Sequence, residues 1–181
     1  MLLAWKQRGT TSQLQLRNAK MTSKLHQTAK QFLDQFGTLD VQALESILAD
    51  NYYHEFAPAS INPPGPFDRP GFLNHHGTIR DIMIGFPVAA KEYIVSEASR
   101  QVTVWATAET VFRDEAKDGE VSEEEWRFKG EYVFMFTMDE SGEKITRTIE
   151  FLDSKATADK LMGLMKRARE NKQKKLAAET K

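Results

Sequence analysis

The hydrophobic pattern changes period once along most of this chain, near residue 89, and that change restricts the fold more than any short motif does. Upstream, apolar residues recur at helical spacing. Leu25, Ala29, Phe32, Leu33 and Phe36 form a first stripe, Val41, Leu44, Ile47 and Leu48 a second, and Phe72, His75, His76, Ile79, Ile82 and Met83 a third. Ser23, Asp40 and Asp68 stand where N-caps belong, while Gly37 and Pro87 stop the first and third stripes. The spacing predicts helices from Ser23 to Phe36, from Asp40 to about Asp50 and from Pro70 to about Phe86. Between the second and third lies NYYHEFAPAS, residues 51–60, in which Tyr52, His54 and Phe56 share one parity, as in a short strand. A loop with three prolines and a glycine in nine residues, 60–68, follows as a stiff rim.

Downstream the apolar residues alternate, with expected strands over 91–99, 101–113, 126–138 and 144–152, and helical spacing returns after Ser154 with Ala158, Leu161, Met162 and Met165. Helices first and a meander of long strands second define an α+β fold: a strongly bent antiparallel sheet wrapped around three N-terminal helices, leaving a conical pocket.

Composition narrows the function classes. The chain has 181 residues, 40% of them hydrophobic, enough for one core. A net charge of −1 gives no general attraction to nucleic acid or anionic membrane, and neither is expected as a partner. There is no cysteine, which excludes disulfides, thiolate catalysis and cysteine-ligated metals. No apolar run approaches the roughly 20 residues of a membrane span. The opening MLLAW is too short for a secretory signal, so a cytoplasmic protein is expected, with residues 1–21 as a flexible extension and Met21 as a second candidate start. Residues 114–125 hold seven acids and one lysine, and 155–181 hold nine Lys/Arg against three acids; both read as solvated charge runs. No glycine-rich phosphate loop, GxSxG elbow or dinucleotide fingerprint is present.

Three segments, HEFAPAS at 54–60, GEYVFMFTMDESGEKITR at 130–147 and IEFLDS at 149–154, resemble the SnoaL-like group, common in filamentous fungi, of the nuclear transport factor 2-like superfamily. The resemblance covers about 22–165, leaving 166–181 as a basic helix end or tail. It implies a cone-shaped fold, dimerisation through the sheet, and a pocket that takes a small hydrophobic molecule without a cofactor. Relatives of this kind include polyketide cyclases, isomerases and dehydratases of secondary metabolism, alongside members with no demonstrated catalysis, so the expectation is a cofactor-independent enzyme of that kind, with a non-catalytic small-molecule-binding or dimeric scaffold module of the same fold as the alternative.

The residues supply a candidate site. His54 shares the parity of Tyr52 and Phe56 and is expected to face inward, as a proton carrier or as a hydrogen-bonded histidine at a strand end. On the last strand, alternation from Ile145 through Ile149 and Phe151 turns Asp153 inward and Glu150 outward. Asp153 is therefore the leading general base or acid, unless it or Ser154 caps the last helix. Tyr132 or His75 is expected to donate a hydrogen bond to a developing oxyanion. Phe56, Phe72, Ile79, Trp105, Phe128, Phe134 and Phe151 are expected against the ligand, although an apolar wall of this kind also makes an ordinary core. The histidines lack HxH or HExxH spacing, and no metal is expected. Apolar residues on both faces of the 126–138 strand call for a cover on the outer face as well, most simply a second subunit.

Overall fold

The computed structural model describes residues 23–179, so the extension expected over 1–21 lies outside the described residues. Helix α1 is Lys24–Asp34, followed by a tight turn to Gly37; α2 is Val41–Ile47 and α3 is Arg69–Arg80. The expected caps form: the side chain of Ser23 accepts from His26 N–H, Asp40 from Gln42 and Ala43 N–H, and Asp68 from Gly71 N–H. Each satisfies donors that the first turn of a helix leaves without a partner. The strands are β1 Leu48–Ala57, β2 Phe67–Asp68, β3 Met83–Gly85, β4 Val88–Ser96, β5 Gln101–Glu109, β6 Val111–Phe112, β7 Lys129–Met138 and β8 Ile145–Leu152. A short helix α4, Glu123–Trp126, precedes β7. After β8, α5 (Ser154–Ala156), a π-helical turn (Thr157–Leu161) and α6 (Met162–Glu179) follow without a break.

Six strands form one sheet in the order β2-β1-β8-β7-β5-β4, and β3 and β6 form a second, small one. The main sheet is mixed rather than antiparallel, because β1 runs parallel to β8. The long excursion through α3 and the meander allows β1 to be joined from the far side by the last strand. The stretch read as a short strand is thus ten residues long and central to the fold.

The core lies between the inner face of this sheet and the helices. Phe32 of α1 packs edge-on against Phe134 and Phe136 of β7, with ring centroids 6.3 and 5.0 Å away, and stacks with Phe72 of α3. These rings are at most 2% exposed. Together with Phe36 they account for on the order of 10 kcal/mol of apolar transfer free energy.

Three local departures from the sequence pattern bear on the site. The third helix stops at Arg80, and Met83 and Phe86 leave it: Met83 is in β3, which pairs with β6, and Phe86 follows it. Phe86 N–H donates to Phe36 O at 2.7 Å, and a Cβ on Gly85 would stand 2.3 Å from Gly37 O. Only glycine permits that approach of two backbones. Trp126 belongs to α4, which a Ser122/Glu125 capping box starts, instead of to β7. Finally, Met138 pairs with Ile145 but Thr137 with Arg147, which makes Thr146 an extra residue, a β-bulge.

The two charge runs meet. Arg167 of α6 forms a two-pronged pair with Asp118 at 2.6 and 2.9 Å and also bonds Glu120, while Asn171 donates to Asp118 and to Ala116 O. The acidic segment is thus not simply a solvated tip; part of it docks α6. Among the described residues, no helix is long and apolar enough to cross a membrane.

Candidate active site

Where α1 ends, the cone is left unfilled. A cavity of about 560 Å³ opens there between Tyr132 of β7, Glu150 and Leu152 of β8, the inner side of α3, and the stretch from Thr157 to Arg169. Its walls are largely apolar, from Phe36, Leu39, Phe56, Phe72, Ile79, Met83, Phe86, Leu161 and Met165, and the loop Ile61–Asn62–Pro63–Pro64 forms one side. This volume and character suit a compact, mostly carbon molecule.

The Thr146 bulge decides what the last strand contributes. One extra residue reverses the parity, so that after Ile145 it is Thr148, Glu150 and Leu152 that are buried, while Phe151 is 46% exposed. Glu150 therefore reaches the cavity, with 5% of its surface accessible.

Behind Glu150 lies a chain of buried polar groups. Tyr52 Oη donates to Thr148 Oγ1 at 2.9 Å, so its lone pair is left for His54 Nδ1 at 2.8 Å. This order makes Nδ1 the protonated nitrogen of His54. Nε2 then carries a free lone pair, has no hydrogen bond, and points towards Glu150 Oε2 at 3.5 Å. The imidazole is fixed on its other side by stacking on Phe72, with centroids 3.9 Å apart and planes inclined by 15°. Burial pushes the Glu150 carboxyl up to about 8 and the His54 imidazole down to about 3. Removal from water disfavours the charged form of each, so the pair is a neutral acid facing a neutral base. Tyr52 is held protonated far above neutrality, chiefly by the same burial.

Other polar atoms at the cavity are also without partners. Tyr132 Oη, His76 Nε2 and Thr157 Oγ1 are buried, belong to residues that line the cavity, and make no hydrogen bond. Burial raises the Tyr132 phenol well above its ordinary value, which keeps it a neutral donor. Thr157 opens the π-helical turn, a local geometry that recurs at functional positions. His75 also lines the cavity, stacked on Phe67 with centroids 4.9 Å apart. Burial lowers both His75 and His76 to about 4, so they are neutral as well. Among the described residues, no three His, Asp or Glu side chains gather closely enough to hold a metal ion.

The residues singled out from the sequence are thus divided. Phe56, Phe72, His75, Ile79 and Tyr132 line the cavity, and His54 lies one layer behind Glu150. Asp153 does not reach it: its carboxylate accepts Ala156 N–H at 3.0 Å and caps the last helix. Phe151 faces outward because of the bulge. Trp105 is outward too, 43% exposed, with its indole N–H on Glu131 and Lys91 over the ring at 4.3 Å. Phe134 is core under Phe32, and Phe128 packs at the far end of β7, in a separate polar depression beside Glu109 and Lys160. Glu150, Tyr52, Thr148 and Thr157 were missed. A glutamate between Ile149 and Phe151 is the one visible sign for Glu150, and simple alternation gives its direction wrongly.

This sheet, with its helices and its cavity at the open end, has counterparts of known structure. AusH from Aspergillus nidulans matches with a TM-score of 0.61 at 23% identity, over 74% of this chain and 86% of that one. A pinacolase, BvnE from Penicillium brevicompactum, matches with a TM-score of 0.63 at 21% identity, over 75% and 90%. A Catenulispora acidiphila protein described as having a ketosteroid isomerase-like fold matches with a TM-score of 0.52 at 10% identity, over 68% and 82%. The chain has the nuclear transport factor 2-like, ketosteroid isomerase-like cone. No protein-family model and no curated protein sequence matches it. The likeness is one of architecture.

Proposed function

We propose that this cone is a cofactor-independent isomerase, cyclase or dehydratase that works by acid–base chemistry on a small hydrophobic intermediate of polyketide or terpenoid type. The observation that carries the reading is the neutral Glu150–His54 pair at the apolar cavity, with His54 Nε2 3.5 Å from Glu150 Oε2. An acid kept protonated near neutral pH can hand its proton to a hydroxyl or carbonyl oxygen of a bound ligand. The electron pair of a neighbouring C–O, C–C or C=C bond then shifts, with water departing where the protonated group is a hydroxyl, and the Glu150 carboxylate takes a proton back from carbon or from a remaining hydroxyl that becomes a carbonyl. Glu150 ends as it began. His54 Nε2 turns its free lone pair to the Glu150 carboxyl and orients it for the transfer, and the Tyr52–Thr148 chain holds the ring in that tautomer. Tyr132 Oη, a buried donor with no partner, supports the oxygen on which negative charge develops. His75 is the second candidate for that donation. BvnE, named a pinacolase, is a cone of the same architecture, which supports a reaction of this kind.

The outer face of the sheet exposes Tyr53, Ile94, Trp105 and Phe151, an apolar group suited to a second copy of this chain. Light scattering of the full chain is expected to give twice the monomer mass, and F151K is expected to halve it.

The decisive experiment incubates the wild type, E150Q and H54Q with a panel of oxygenated terpenoid and polyketide intermediates in D₂O, followed by mass spectrometry. Isomers, or products short of one water, are expected from the wild type, with solvent deuterium in the product. Equal turnover by both variants would remove Glu150 and His54 from the chemistry.

A further inference from the structure

The lining of the cavity is apolar at depth and ends in a single arginine. Met162, Met165 and Arg169 follow one another at helical spacing along α6, so one stripe of this helix brings two apolar side chains and then a cation to the cavity. Among the described residues the Arg169 side chain has no hydrogen-bond or ion-pair partner. Its neighbours on the helix are engaged: Arg167 with Asp118 and Glu120, Lys172 with Asp81, and Lys166 with Glu170. Arg167 thereby holds the helix against the 114–120 segment and Lys172 ties it to the end of α3, and so they fix where Arg169 stands.

Among the described residues no acid pairs with this charge. Among the described residues Glu150 is the one carboxyl that lines the cavity, at its floor, and burial keeps it protonated. The Arg169 charge is nevertheless felt within the site, since it is one of the influences that lower His75. An arginine with free donors beside an apolar cavity is a receptor for a planar or tetrahedral oxyanion.

We infer that the molecule bound here carries an anionic oxygen group, such as a carboxylate, on its apolar body, and that Arg169 pairs with that group at the mouth while the reacting oxygen lies at Glu150. The inference rests on the proposed use of this cavity as the ligand site. It sorts substrates by class: a free acid is accepted in preference to the ester or alcohol with the same skeleton. It also fixes orientation, because the charged end stays in partial contact with water and the apolar end enters first.

Two fluorescent probes with one apolar body, 1-pyrenebutyrate and 1-pyrenebutanol, test this with the full chain at low ionic strength. The wild type is expected to bind the carboxylate about tenfold more tightly than the alcohol, the scale of one charge-assisted pair. R169Q is expected to bring the two affinities together by weakening the carboxylate and leaving the alcohol unchanged. R169E should reverse the order. Residue 169 is on the exposed face of a helix, so these variants keep the fold. Equal binding of both probes by the wild type, or an undiminished preference in R169Q, would overturn the role of Arg169 alone. Failure of the folded wild type to bind either probe would overturn the cavity as a ligand site, and the role with it.

Discussion

Two carboxyl–base pairs in this molecule are of similar reach and opposite electrical state. Asp118 and Arg167 meet at 2.6 Å at the surface, where the guanidinium and Asn171 hold the Asp118 carboxyl well below its ordinary range. Glu150 and His54 face each other at 3.5 Å inside the cone, where loss of water holds the glutamate up and the histidine down. Solvent decides between the two outcomes. At the surface, water and a permanently charged partner stabilise ions, and the pair becomes a fastening for α6. At depth neither ion is stabilised enough, and the pair retains a transferable proton.

The largest effect that would break this contrast is on turnover. Changing Glu150 to Gln keeps shape and burial but removes the acid, and a loss of 10²- to 10⁴-fold in rate is expected from product formation under identical conditions. R167Q should leave the rate within about twofold, because its charge serves docking rather than chemistry.

The next effect is on stability against pH. Glu150 is raised in the fold from 4.5 to about 8, so its contribution to stability is fully present below 4.5 and is lost as pH rises through about 8. His54 is lowered from 6.5 to about 3, so its contribution is present above 6.5 and is lost as pH falls towards about 3. E150Q is expected to be more stable than the wild type by a few kcal/mol at pH 9, and the difference should vanish near pH 4. Urea unfolding at the two pH values measures it; a difference that does not change with pH would mean that Glu150 is already ionised in the fold. Infrared difference spectra between wild type and E150Q should correspondingly show a carboxylic acid carbonyl at pH 7 that disappears with a midpoint near 8.

The smallest effect belongs to the surface pair. D118N or R167Q is expected to lower the melting temperature by a few degrees at low salt and by less at high salt, since partly exposed charges are screened. Scanning calorimetry at two ionic strengths reads this. A salt-independent loss would assign the pair a packing role instead.

The helical half was legible because its signals are local. Ser23, Asp40 and Asp68 cap where they should, and the stripes of α1 and α3 face the core. The strands of the meander were legible from alternation, as was the inward direction of Tyr52 and His54. The site was legible only in part. His75, Tyr132, Phe56, Phe72 and Ile79 reach the cavity, but the carboxyl placed there by parity, Asp153, is a cap, and the one placed outside, Glu150, forms the floor. The cause is Thr146. A bulge is settled by the pairing of two strands, and nothing within TRTIEFL marks which residue will be left over.

By itself, then, the sequence determined the α+β cone, its capped helices and the buried histidine of β1, all of which follow from period, parity and caps within a few residues. Tertiary structure alone decided that β1 would pair in parallel with β8, that Glu150 would turn inward, and that it would meet His54 away from water. Those outcomes depend on register between distant strands and on the dielectric that packing creates, and neither is a property of any short stretch of chain.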